Sequence, residues 1–591
     1  MVDTTVNLTG CASKWLSDFE KLIVTAEFLK LKNIFHTDCH WRDILAFTWH
    51  IKTFTGIKSI GDAFRRYSGP IAPAQFRIDN KRSPPRNVIR AGTRCIEVIF
   101  SFKTSIGKGN GVLRLRNDGD GKLKAWTILT ALHSLNSFEE RLDSERPKGF
   151  VYSKGFGGPN WLDNRETASA FLNKDPAVLV VGAGQAGLSI AARLGQLNVD
   201  TLVIDKADRI GDNWRNRYHR LSLHNQTHVN HLPYMQFPSN WPAYIPKDKL
   251  AGWFEAYAES MELNVWNNTK FTGGIYNEEK KYWHIEIRRS NETVRKITPR
   301  HVILATGVSG IPNRPNIPGL NEFEGTVVHS SEFKSGEAWR GKKTLVIGSG
   351  NSGHDIAQDL YSNGAEVLIV QRQPTTIVDI EPSAQLPYRL YDEGLPLEDC
   401  DLITTASPFE LMKKTHQLIT EETKIIDKDL LSGLSKVGFK IDFGEDNTGW
   451  QFKYLNRGGG YYFNVGCSDL IVSRKINVLQ FSEIASFVKE GLNNKEGTTF
   501  PLDLIVLATG FKGQQELVLK FFGEKVAERV GPIWGFDPGE QELRNMWVRT
   551  PHPGLWFIAG SFAQCRIYSK YLGLQIKACE EGLIPLIQRA P

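Results

Sequence analysis

Two rhythms of apolar and polar positions divide the chain. Before about residue 150, apolar side chains recur at helical spacing over residues 13–30, and then alternate with polar ones in RCIEVIFSF (94–102) and GVLRLRND (111–118). Alternation of period two means a sheet with one buried face, so residues 1–150 are expected to form an α+β module with an antiparallel sheet. From Pro176 the rhythm becomes apolar strand, glycine turn, helix, strand, and it recurs at Lys343. That order predicts parallel α/β architecture with two dinucleotide-binding domains, the second inserted in the first. The expected boundaries are a Gly/Pro/Asn-rich linker at 151–175, a first domain at 176–310 resuming at 501–591, and a second at 311–500. The second carries a polar, helix-containing insertion at about 379–465.

The glycine turns carry the chemistry. AVLVVGAGQAGLSIAARL places Gly182, Gly184 and Gly187 between a buried-type strand and a helix. The first glycine permits the tight turn, the second lets a pyrophosphate reach backbone N–H groups, and the third lets helix and strand pack closely. The next strand, TLVID, ends at Asp205, where a carboxylate accepts hydrogen bonds from a ribose diol. KTLVIGSGNSGHDIAQ repeats the design with Gly348, Gly350 and Gly353, but its following strand ends at Gln371 and Arg372. An arginine there pairs with a 2′-phosphate that a carboxylate would repel, so NADPH is expected at the second loop and FAD at the first. The competing reading of Arg372 is a solvated surface charge. ILATG (303–307) and VLATGF (506–511, with Gly510) follow one loop each, as turns that would carry the chain past a cofactor and between domains.

Composition narrows the partners. A net charge of +7 over 591 residues, without a Lys/Arg block, offers no nucleic-acid surface, and no apolar run is long enough for an integral membrane segment. The terminal stretches MVDTTVNLTG and LIQRAP match no targeting signal, so a cytoplasmic location is expected. Seven scattered cysteines without a C-x-x-C pair argue against a disulfide framework or a redox dithiol. The groups His36, Asp38, His40, Asp43 and His219, His224, His228, His231 meet no metal-ligand spacing, so no metal is expected.

FEGTVVHSSEF (323–333) fits the pattern F-x-G-x-x-x-H-x-x-x-[FY] at Phe323, Gly325, His329 and Phe333. With GDNW (211–214), GSGNSG and WFIAGSFAQCRIYSKYLGLQIKA (556–578), it resembles the flavin-containing monooxygenases, in their YUCCA-like and fungal-type branch, over about residues 175–583. The resemblance implies FAD and NADPH as cofactors, a small lipophilic substrate and molecular oxygen as partners, and N- or S-oxygenation through a flavin hydroperoxide. Oxidative decarboxylation of an aryl pyruvate, ketone oxygenation, an uncoupled NADPH oxidase and an NADPH-sensing flavoprotein that recruits a partner stay open. It further implies Trp214 and Gly560 at the flavin, Asn225 close to its ring, and His329 beside the nicotinamide. Asn225 is the less direct carry-over, because the surrounding LHNQTH departs from the family's Asn-Ser-Ser-Lys. The first 150 residues resemble the cone-shaped fold of nuclear transport factor and polyketide-cyclase relatives, which implies a docking or homodimer-forming module that could close over the substrate mouth.

Overall fold

The structure is a computed structural model that describes residues 7–119, 121–149 and 157–587; the expected linker's first residues, 151–156, and the terminal residues 1–6 and 588–591 lie outside it. In the N-terminal module, Asn7 caps helix Leu8–Val24 by accepting the Gly10 N–H, and the helix buries Trp15, Leu16 and Phe19. The helix expected to run to residue 30 ends earlier: Ala26 takes a left-handed φ of 54°, and a separate 3₁₀ turn follows at Phe28–Asn33. Phe19 meets Phe64 of helix Ile57–Ile71 at 5.4 Å, and Trp41 from the sheet stacks on Phe64 at 4.0 Å. The sheet has seven strands. It is not wholly antiparallel as expected, because its first strand, Phe35–Ile44, lies parallel to its last, Leu123–Leu135.

The first α/β unit is a five-stranded parallel sheet in the order Val265–Trp266, Thr201–Ile204, Val178–Val181, His301–Leu304, Leu555–Phe557. Its strands are buried continuous apolar runs, as a sheet covered on both faces requires. Helices Gln185–Gln196 and Phe562–Glu580 pack against each other beside it. The second unit repeats the arrangement in the order Thr326–His329, Leu504–Leu507, Lys343–Ile347, Glu366–Gln371, Asn477–Gln480. Strand Leu504–Leu507 pairs with Lys343–Ile347 inside this second sheet, so the chain returns to the first unit later than residue 501. The two crossings, Ile311–Pro312 and Phe511–Lys512, pair antiparallel as a short ribbon.

Residues 379–465 fold mainly as helices between the parallel strands Thr376–Asp379 and Tyr461–Asn464. One of these helices, Leu397–Thr405, is gripped at both ends by the N-terminal module. In its first turn, Asp399 accepts hydrogen bonds from Arg82 and from the Ser83 N–H and hydroxyl. At its other end, Arg42 donates to the Thr405 carbonyl at 2.6 Å and Arg114 to the carbonyls of Ile403 and Ala406. Both grips follow the helix dipole, with cations at the carboxyl end and donors on an acidic first turn. Arg42 also forms a two-bonded pair with Glu542, and Glu97 of the module collects Arg86, Arg90 and Arg114. Burial alone would raise the Glu97 carboxyl; the Arg114, Arg90 and Arg86 guanidiniums outweigh it and hold the carboxyl down at about 2.

Candidate active site

Each glycine loop is built by the strand-end turn of its own sheet. Gly182 has φ +110°, and a methyl group placed on it would sit 2.7 Å from the Ala305 carbonyl oxygen, in the ILATG turn. Gly348 has φ +122° and is pressed in the same way against the carbonyl of Ala508, in the VLATG turn. The third glycines, Gly187 and Gly353, have no room either, since their methyl groups would overlap the carbonyl oxygens of Gly182 and Gly348. The middle glycines differ. Beside Gly184 the nearest atom is the Asn213 side-chain amide at 3.2 Å, and beside Gly350 it is the Tyr461 carbonyl at 3.6 Å. Backbone contact therefore demands the outer glycines, while the middle ones border open space at a helix N-terminus, where a pyrophosphate would approach.

Asp205 accepts the N–H groups of Ala183 at 2.7 Å and Ala207 at 2.9 Å, which fixes its carboxylate at the first loop and leaves further lone pairs for a ribose. Two polar atoms here are buried without a protein partner: Trp214 Nε1, on the turn Asp212–Arg215, and Thr306 Oγ1, next to Ala305. Orphaned donors are costly in a folded protein, and a bound dinucleotide with its many acceptors satisfies them. The residues present thus fit an FAD at the first loop. At the second, Arg372 is exposed at the end of strand Glu366–Gln371 and has no ion-pair partner among the described residues. The neighbouring Gln371 is instead buried and locked by two hydrogen bonds to the Lys440 backbone. The second loop fits a phosphorylated dinucleotide.

The pattern of Phe323, Gly325, His329 and Phe333 has a packing reason. The Phe323 ring lies across Gly325, where any side chain would collide with it and with the Asp503 carbonyl. His329 ends the strand that pairs with Leu504–Leu507, and both its ring nitrogens are occupied. Nε2 donates to the Gly510 carbonyl at 3.0 Å, while Nδ1 accepts the Ser331 N–H at 3.2 Å and lies 2.9 Å from its hydroxyl. Burial lowers its pKa, which keeps the ring neutral. The Gly510 carbonyl also accepts the Asn313 N–H, so His329 and Asn313 together hold the crossing ribbon. Asn225 donates to the Tyr388 hydroxyl at 2.9 Å, which ties the first unit to the insertion. Gly560 has φ +122° and precedes Ser561, whose side chain forms a capping box with Gln564 at the N-terminus of helix Phe562–Glu580. The Gly560 carbonyl also receives a hydrogen bond from Gln185 of the first loop at 3.4 Å, so this helix end adjoins the FAD cradle.

Of these contributors only Tyr388 lies outside the stretches singled out in the sequence; Thr306 belongs to ILATG, and Gln564 to 556–578, where it stands at the S-x-x-Q spacing of a capping box. The histidines disperse: His228 pairs with Asp392, His224 lies 3.7 Å from Asp355, and His231 accepts the Phe237 N–H. His36 pairs with Asp118, whereas Asp43 is buried among the hydroxyls of Thr48 and Thr130.

Two dinucleotide cradles on two parallel sheets, joined by one crossing ribbon, define a two-domain dinucleotide-binding oxidoreductase fold. The family model for pyridine nucleotide-disulphide oxidoreductases matches residues 179–391, about a third of the chain. Among curated proteins, the chain is 28% identical over 400 residues to the indole-3-pyruvate monooxygenase YUCCA1 of Oryza sativa subsp. japonica, covering 67% of this chain and 87% of that one. It is 29% identical over 337 residues to a probable indole-3-pyruvate monooxygenase, YUCCA1, of Arabidopsis thaliana, covering 56% of this chain and 75% of that one. In fold it is similar to a cyclohexanone monooxygenase mutant from Rhodococcus sp. Phi1 solved with NADP+, with TM-score 0.50, 16% identity, and coverage of 69% of this chain and 86% of that one. The similarity is thus to monooxygenases, and about a third of the chain lies outside each of the two longer matches.

Proposed function

We propose that this chain is an FAD-dependent, NADPH-consuming monooxygenase that transfers one oxygen atom of O2 to a small lipophilic substrate at nitrogen or sulfur. The observation that carries the reading is the pair of cradles of opposite charge, Asp205 at the first and Arg372 at the second, on sheets linked by a single ribbon. The monooxygenase relatives support it. The net reaction is substrate, O2, NADPH and H+ giving oxygenated substrate, water and NADP+. When bound, FAD supplies the redox chemistry.

The chain's own residues bind and position. The backbone N–H groups around Gly184 and Gly350 hold the two pyrophosphates, Asp205 the adenosine ribose, and Arg372 the 2′-phosphate. Gly182, Gly187, Gly348 and Gly353 let the loops close on their sheets. Trp214 and Gly560 would border the flavin, and Asn225, whose amide donates to the Tyr388 hydroxyl, would lie close to its ring. His329, with both nitrogens spent on Ser331 and Gly510, is a positioning residue that sets the ribbon rather than a proton carrier. The decisive measurement is product balance on flavin-loaded protein under ¹⁸O2. Substrate gaining one ¹⁸O per NADPH supports the reading; peroxide accounting for all oxygen with every sulfide and amine offered refutes it.

A further inference from the structure

A cavity of about 1020 Å³ lies where the N-terminal module, the helical insertion and the N-terminus of helix Phe562–Glu580 meet. Its lining includes Ser561, Gln564 and Tyr388, the last of which holds Asn225. It also includes Ile51, Ile89 and Trp126 of the module and Leu411 and Leu418 of the insertion. Ile89 is 61% exposed and Leu418 47%, unusual values for large apolar residues beside a cavity of mainly apolar and aromatic walls.

The carboxylates lining it, Asp537 excepted, are paired with cations. Glu542 is paired with Arg42, Glu540 with Lys52, Glu393 with Arg90 and Glu422 with Arg389. Asp537 accepts the N–H groups of Gly539 and Glu540. The lining guanidiniums of Arg66 and Arg544 have no carboxylate partner among the described residues, so the uncompensated charge is positive. An ammonium group entering here meets two unpaired guanidiniums and a single unpaired carboxylate, Asp537, whose Oδ1 already accepts two N–H groups, so it would shed its water against a net positive lining. The volume stands at the upper end of the roughly 300–1,000 Å³ of drug-sized pockets, so a one-ring molecule would leave most of it to water.

We propose that this cavity is the substrate chamber, that the N-terminal module builds its outer wall, and that it takes a bulky, largely apolar molecule without an ammonium group. The inference rests on the oxygenase reading for the fate of the ligand, though not for its binding. For a sulfide, one O2-derived oxygen bonds to sulfur, the other leaves as water, and NADPH supplies the two electrons.

The test is equilibrium dialysis of the full-length, flavin-loaded protein with benzyl naphthyl sulfide, methyl phenyl sulfide and a quaternary ammonium of the larger probe's bulk. The expected result is binding of benzyl naphthyl sulfide at least ~10-fold tighter than the other two. Ile89→Trp and, from the insertion, Leu418→Trp should each weaken it several-fold, with flavin content unchanged and methyl phenyl sulfide binding altered far less. Equal binding of the ammonium probe, or indifference of the bulky sulfide to both variants, overturns the proposal. If the binding pattern holds while no sulfoxide forms, the oxygenase reading fails and the chamber stands. Sulfoxide formed at rates that neither variant alters for either sulfide leaves the oxygenase reading and removes the module from the chamber.

Discussion

Gly184 and Gly187 lie in one loop but answer to different forces, and replacing each with alanine separates them. At Gly187 the new methyl overlaps the Gly182 carbonyl, which is backbone and cannot rotate away. Such overpacking costs about 1–3 kcal/mol or more, so the apo-protein of Gly187→Ala should melt several degrees lower. At Gly184 the methyl meets only the end of the Asn213 side chain, and the residue's φ of −84° suits any amino acid. Gly184→Ala should therefore fold with the wild-type apo melting temperature. The methyl does occupy the approach of the pyrophosphate, and losing one charge-assisted backbone hydrogen bond is worth about 1.5–3 kcal/mol, a ~10- to 150-fold weaker FAD affinity. Apo melting curves and FAD titration followed by flavin fluorescence read the two effects. Wild-type FAD affinity in Gly184→Ala, or a melting temperature lowered as much as in Gly187→Ala, would refute the assignment of the open space to the cofactor.

Arg372→Ala should raise KM for NADPH ~10- to 100-fold and leave KM for NADH nearly unchanged, since only the 2′-phosphate loses a partner; equal effects exclude phosphate reading. Glu97 has a folded-state pKa of about 2, below its unfolded value, so its stabilisation is present above about pH 4.3 and is lost as pH falls toward 2. In urea titrations Glu97→Gln should thus cost about 3 kcal/mol at pH 7 and progressively less below pH 4, and a pH-independent difference contradicts the argument. Asp401→Asn breaks the two-bonded pair with Arg566, which is buried and also donates to the carbonyls of Val229 and His231. The expected loss is about 3 kcal/mol in the same titrations, and a change below about 0.5 kcal/mol would mean that the pair is energetically idle.

The parts of the fold visible in sequence are those dictated by local backbone geometry. Gly182 and Gly348 need positive φ, Gly187 and Gly353 need the absence of a side chain, and the acid or arginine ending the next strand is at a set distance. The spacing over residues 13–30 does not reveal the helix end at Val24, because apolar positions recur through the left-handed Ala26 into the 3₁₀ turn Phe28–Asn33. The parallel pairing of Phe35–Ile44 with Leu123–Leu135 was not visible either, since alternation reports which face is buried and not which neighbour is chosen. The module's seating was invisible for another reason: Arg42 and Glu542 stand 500 positions apart, and a buried ion pair leaves no periodicity. The partner of Asn225, Tyr388, is invisible in the sequence because it lies in the 3₁₀ segment Ser383–Asp392, which carries no motif.

The helix Leu397–Thr405 has a consequence for synthesis. The module's sheet is complete at Leu135, but the helix it grips is made only after more than 250 further residues. At ~5–20 residues per second the gap is on the order of tens of seconds, during which a domain folded early on the ribosome presents the Glu97 cluster and one apolar wall to solvent unaccompanied. The nascent chain is therefore most exposed to misassociation in the middle of translation, and its rescue arrives with nine residues.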